Sequence, residues 1–144
     1  MSQDNAMTSF NYDPPTADKP KKIVWLARTD RLFAAIQVIA SGGETNLHSH
    51  SHLDGLWFVL RGKARFYSDE TTVHCELGPQ QGVLVPRGTK YWFERIGDEP
   101  LEILQVECSD VAMNTNKDLI GDRVDYTPRA PRAAPTEQIQ ASKV

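Results

Sequence analysis

Between residues 23 and 108 short apolar runs alternate with polar punctuation at a spacing that predicts strands. The runs are Ile23–Arg28, Leu32–Ala40, Leu56–Leu60, Ala64–Tyr67, Thr72–Leu77, Gly82–Val85, Lys90–Glu94 and Leu101–Cys108. Each is rich in Val, Ile, Leu, Phe, Trp or Tyr and bounded by Gly, Pro, Asp or Ser, the signature of strands between turns. Residues 102–107, Glu-Ile-Leu-Gln-Val-Glu, show the period-two alternation of a half-buried strand, although imperfectly. Arg61-Gly62-Lys63 and Gly97-Asp98-Glu99-Pro100 read as tight turns. About eight strands with no helical stretch of useful length predict an all-β domain, a small barrel or a two-sheet jelly roll. Such a barrel has an interior, which is where a small ligand would sit.

The flanks read differently. Residues 1–22 carry Pro14, Pro15 and Pro20 with a Lys19/Lys21/Lys22 cluster, and residues 109–144 carry Pro128, Pro131 and Pro135 among Ala, Thr, Gln and Arg. These stretches bury too little apolar surface to offset the entropy of ordering them alone. They are predicted to be flexible tails or arms, ordered only against a partner subunit. A length of 144 residues argues for one domain, with the barrel over 23–108.

Charge and composition narrow the function classes. The formal net charge is −3 and no basic stripe accompanies it, which argues against nucleic acid as a partner. No apolar run approaches the roughly 18–20 residues needed to span a bilayer as a helix, so no membrane partner is expected. The N-terminus lacks the basic-then-apolar order of a secretory signal. Cys75 and Cys108 are isolated and form no CxxC pair, so a reducing, cytoplasmic setting is the default.

The chemistry concentrates in Gly42-Gly43-Glu44-Thr45-Asn46-Leu47-His48-Ser49-His50-Ser51-His52. On an extended strand His48 and His50 share a face and point together into the barrel. Two neutral imidazoles with a nearby carboxylate, of which Asp54 is the first downstream, are a common start to a divalent metal site. By alternation Trp57 and Val59 share a face, as do Tyr91 and Phe93, while Trp92 takes the opposite one. Trp57, Phe66 and Phe93 are candidates to line the cavity and bind substrate.

This stretch resembles the first motif of the cupin superfamily, with Gly42 opening it, His48 and His50 as the His-x-His pair, and Gly62 closing it. Pro86-Arg87-Gly88-Thr89-Lys90-Tyr91 is similar to the second motif. The resemblance covers residues 23–108 and implies a jelly-roll (double-stranded β-helix) barrel, a bound divalent metal (Fe, Mn, Ni or Zn) and a homodimer. It also shows departures. With three residues intervening after His50 the family carboxylate position falls on Asp54, with four on Gly55, and the second-motif histidine is Tyr91. The implied ligands are His48, His50, either Asp54 or His52, and Tyr91 as a fourth.

Three functions follow as expectations. In the first, a metalloenzyme of dioxygenase, isomerase or lyase type acts on a small oxygenated molecule, with His50 and Tyr91 as catalytic groups. In the second, a metal-free isomerase or epimerase of sugars or sugar nucleotides uses the histidines as acid and base. The third is a non-catalytic small-molecule-binding barrel.

Overall fold

The computed structural model describes residues 6–113, 122–128 and 136–144. The eight sequence-predicted strands all form, most with slightly longer bounds: β2 (Lys21–Arg28), β3 (Leu32–Ile39), β5 (Leu53–Arg61), β6 (Lys63–Tyr67), β7 (Val73–Leu77), β8 (Gly82–Val85), β9 (Tyr91–Ile96) and β10 (Leu101–Ser109); a further strand, β4 (Gly43–His50), carries the histidines. Four short strands lie in the arms: β1 (Phe10–Asn11), β11 (Arg123–Asp125), β12 (Glu137–Gln140) and β13 (Ser142–Lys143). A six-stranded sheet, in the order β12-β2-β3-β10-β5-β8, packs against a five-stranded sheet, β11-β4-β9-β6-β7. No helix occurs among the described residues. The fold is an all-β jelly roll, as the strand pattern predicts.

The inner faces of the two sheets meet in a core of Ile39, Trp57, Val59, Ala64, Phe66, Leu77, Val85, Tyr91, Phe93, Leu101 and Ile103. Alternation puts them there: along β5, Leu53, Gly55, Trp57 and Val59 are buried while Asp54, Leu56 and Phe58 are not. Removing a side chain such as Phe66 or Phe93 from water stabilises the fold by about 1.5–3 kcal/mol.

The described parts of both arms lie on the chain's own barrel. β12 extends the first sheet in parallel beside β2, from Glu137↔Lys22 to Gln140↔Trp25. β11 runs antiparallel to β4, from Arg123↔His50 to Asp125↔His48. Each strand satisfies backbone groups that an open sheet edge would leave unpaired. Tyr12, Ala17, Ile139 and Ala141 pack over Val24, Leu26, Ile36 and Val38, building a second small core on the outside of the first sheet. The arms therefore bury apolar surface against the barrel even though neither carries a core of its own.

Candidate functional site

β4 carries His48 and His50, and its pairing with β9 sets His48 opposite Tyr91 after a register shift between Glu44 and His48. The two imidazoles share one face, as strand alternation requires, with ring centroids 5.3 Å apart and nearly perpendicular planes. The Tyr91 ring stands 4.4 Å from that of His48. The second-motif loop is tied to the same strand end by the Gly88 N–H, which donates to the His50 carbonyl at 2.7 Å.

Hydrogen bonds fix which nitrogen of each imidazole carries its proton. His48 Nδ1 lies 2.8 Å from the Asn46 carbonyl oxygen, and His50 Nδ1 lies 2.9 Å from Asp122 Oδ1. Both partners only accept, so each Nδ1–H donates and each neutral ring keeps its lone pair on Nε2. The His50–Asp122 pair is well shielded, with side chains 12% and 7% exposed. Asp122 is itself anchored, because its Oδ2 accepts from the His52 N–H at 2.9 Å. The arm that brings it is clamped at several points. Tyr126 and Ser49 hydroxyls share a hydrogen bond at 2.9 Å, Leu47 N–H donates to Thr127 Oγ1, and Lys90 Nζ sits 4.3 Å above the Tyr126 ring.

A pocket of about 10 Å³ opens beside these groups, lined by His50, Leu53, Gly55, Val85, Pro86, Thr89, Tyr91 and Glu107. That is room for about one water-sized group. Glu107 is the acid at this pocket, 2% exposed and opposite Gly55 across the β10–β5 pairing. Gln105 Nε2 donates to Glu107 Oε1 at 2.8 Å, and Gln37 Nε2 in turn donates to Gln105 Oε1 at 2.8 Å. Sequence reasoning missed both Glu107 and Asp122. For Glu107 a signal existed, since the alternation of residues 101–107 sets it on the inner face with Leu101 and Ile103. Nothing in the sequence marks Asp122, an acid in a Pro-rich arm.

Asp54 stands elsewhere, which corrects the expectation that it ligates a metal. It lies on the outward face of β5, accepts from the Arg87 N–H at 2.8 Å and pairs with Arg87 Nη2 at 3.3 Å. A residue between inward Leu53 and Gly55 cannot share their face. His52 also lies outside the pocket lining, with Nδ1 donating to Asp110 at 2.9 Å. Arg87 Nη1 bonds the same carboxylate at 2.7 Å. Burial pushes the Asp110 carboxyl up, but its hydrogen bonds from Arg87 and His52 outweigh that and hold it below the usual range.

Trp57, Phe66 and Phe93 do face inward, but they fill the barrel rather than line a cavity. They are 0%, 2% and 0% exposed, with Trp57–Phe93 and Phe66–Phe93 centroids both 4.9 Å apart. None belongs to the pocket wall.

The residues present do not fit a resident metal ion. Among the described residues no three His, Cys, Asp or Glu side chains are grouped to hold one. Gly55 occupies one of the two candidate carboxylate positions, Asp54 at the other is turned outward, and the last ligand position offers only the Tyr91 phenol. Glu107 shares the pocket wall with His50 but is not grouped with both histidines, and two imidazoles with a phenol are a poor donor set for a borderline divalent ion.

Residues 35–107 match the family described as "Cupin domain". The chain is a cupin. No curated protein sequence matches it. Among solved structures, it is similar to an uncharacterised double-stranded β-helix protein of Klebsiella pneumoniae, at 20% identity and a TM-score of 0.58, covering 70% of this cupin and 86% of that chain. KdgF from Halomonas aligns at 17% identity and a TM-score of 0.58, covering 72% and 94%. Pac13, described as a nucleoside dehydratase, aligns at 14% identity and a TM-score of 0.53, covering 69% and 71%; related structures give its source as Streptomyces. At these identities the likeness is one of fold.

Proposed function

We propose that this cupin is a metal-independent acid–base enzyme acting on a small oxygenated molecule whose polar head enters the pocket beside His50. The observation that carries the reading is the shielded Asp122–His50 pair, 2.9 Å apart, on the wall of a pocket that also holds Tyr91 and Glu107. An imidazole whose Nδ1–H is held by a carboxylate presents Nε2 as a general base, and the carboxylate stabilises the imidazolium that forms. The phenol of Tyr91 is the matching acid.

For a substrate with a carbonyl, His50 Nε2 takes the proton from the adjacent carbon. The C–H electron pair moves to form the enol double bond, the carbonyl π pair moves onto oxygen, and Tyr91 supplies the proton there. Return of a proton from His50 to the other carbon, with recovery of the Tyr91 proton from the neighbouring hydroxyl, completes an isomerisation. The Streptomyces nucleoside dehydratase shares only the fold, so nucleosides are not the expected substrate.

The test is solvent deuterium wash-in at the carbon next to the carbonyl of hydroxyacetone, followed by proton NMR after treatment with a chelator. Exchange is expected in the wild-type protein, and its loss is expected in His50→Gln. Exchange that dies with the chelator and returns with added Fe, Mn, Ni or Zn overturns the reading in favour of metal-dependent chemistry.

A further inference from the structure

A second hollow, of about 700 Å³, lies away from His50, where both arms meet the hairpin that joins β2 to β3. Thr8 brings the N-terminal arm to its wall, Gln138 and Lys143 bring the C-terminal arm, and the hairpin supplies the rest. The volume falls within the range of small-molecule sites, about 300–1,000 Å³. None of its lining residues is shared with the pocket at His50, which admits only one water-sized group.

The wall joins an apolar part to a cationic one. Trp25 is its large apolar surface, with Leu26 and Leu32 also on the wall. The indole is held at two points. Its ring packs 5.6 Å from that of Phe33, with the planes tilted by 57°, and its Nε1–H donates to Gln138 Oε1 at 3.0 Å. That bond occupies the Gln138 oxygen and leaves the amide N–H groups of the side chain as donors. The charged side chains on the wall are Arg28 and Lys143, both cations, and no carboxylate lines it among the described residues. The chain as a whole carries a formal net charge of −3, so this wall runs against the average.

We infer that this groove is a binding site for a small aromatic carboxylate, with its ring against Trp25 and its carboxylate facing Arg28 and Lys143. An indole gives an aromatic ring a flat apolar surface for offset or edge-to-face contact. Guanidinium and ammonium groups recognise a carboxylate through charge-assisted hydrogen bonds. A neutral aromatic molecule uses only the apolar part of the wall, and an aliphatic carboxylate lacks the flat ring. The site stands apart from the acid–base reading of His50 and does not depend on it.

The experiment is a titration of the full-length protein with 2-naphthoate, followed in the indole region of a proton–nitrogen correlation spectrum. Trp25→Phe assigns the signal. The Trp25 signal is expected to shift and saturate, while those of Trp57 and Trp92 hold still. 2-Naphthamide, which keeps the ring and lacks the charge, should bind about fivefold more weakly or worse, and so should hexanoate, which keeps the charge and lacks the ring. Arg28 and Lys143 are exposed, so Arg28→Gln and Lys143→Gln should each weaken 2-naphthoate by about two- to fivefold. Unchanged Trp57 and Trp92 signals would show that both variants fold. His50→Gln should bind 2-naphthoate as the wild type does.

An unmoved Trp25 signal overturns the site, as does an affinity that survives in the Arg28→Gln/Lys143→Gln double variant. Equal binding of 2-naphthamide would remove the role of the cations, and equal binding of hexanoate that of the indole; either result overturns the assignment. Loss of 2-naphthoate binding in His50→Gln would place the ligand at the other pocket and overturn it too.

Discussion

Gly62 closes the first cupin motif, and the structure supplies a physical reason that can be measured against a control. Gly62 and Gly97 both adopt the left-handed backbone, with φ of +79° and +78°. A non-glycine residue pays about 1–2 kcal/mol for that conformation, offset by about 0.4–1 kcal/mol because alanine has less unfolded-state entropy to lose. Gly97→Ala meets no atom within 4 Å, so its net cost should be about 1 kcal/mol or less. Gly62→Ala has the same backbone cost but presses its methyl into the Pro100 carbonyl oxygen, with Leu101 Cα only 3.0 Å away. Both neighbours are backbone at the start of β10, the strand that carries Glu107, and they cannot rotate aside. Overpacking of this kind adds about 1–3 kcal/mol, for a total of about 2–4 kcal/mol. At this chain length 1 kcal/mol moves the melting temperature by about 3 °C. Thermal unfolding followed by circular dichroism should therefore show losses of about 3 °C for Gly97→Ala and about 6–12 °C for Gly62→Ala. Equal losses in the two variants would refute the argument, since backbone conformation alone would then explain both.

Asp54→Ala should leave His50-dependent deuterium exchange within a few-fold of wild type while speeding amide hydrogen exchange at Arg87, whose N–H it holds at 2.8 Å. A collapse of catalytic exchange to the His50→Gln level would return Asp54 to the site. Phe93→Ala, which removes a fully buried ring packed 4.9 Å from both Trp57 and Phe66, should cost about 3–5 kcal/mol in urea unfolding. Leu84→Ala, at a side chain 64% exposed, should stay within about 0.5 kcal/mol. Burial, the hydrogen bond to Glu102 and that residue's charge raise the Tyr12 phenol well above its ordinary value. The folded chain thus keeps a proton that the unfolded chain releases. The resulting stability is fully present below about pH 10 and is lost as pH rises toward the folded value. Urea midpoints should fall above about pH 10 in the wild type and fall less steeply in Tyr12→Phe; parallel curves would show that Tyr12 is not the group responsible.

Much of the barrel was legible because strand alternation is local. β8 is predicted to the residue, and the shared faces of Trp57 with Val59 and of Tyr91 with Phe93 follow from period two alone. The same rule, carried three residues back from Trp57 along β5, puts Asp54 on the opposite face. The motif spacing that favoured it counted residues without asking which face they occupy. Glu107 is legible in the same way, although it lies far along the chain from the histidines.

The sequence by itself determined most strands of the barrel, which side chains share a face and the pairing of His48 with His50, since these depend on neighbours one or two residues apart. The tertiary structure decided the rest. Asp122 reaches His50 across 72 positions of sequence, and only the pairing of β11 with β4 brings it there. Glu107 faces Gly55 because β10 and β5 are antiparallel partners in one register. Whether the inward rings enclose a cavity or fill it depends on how closely two sheets pack, and that distance is written in no single strand.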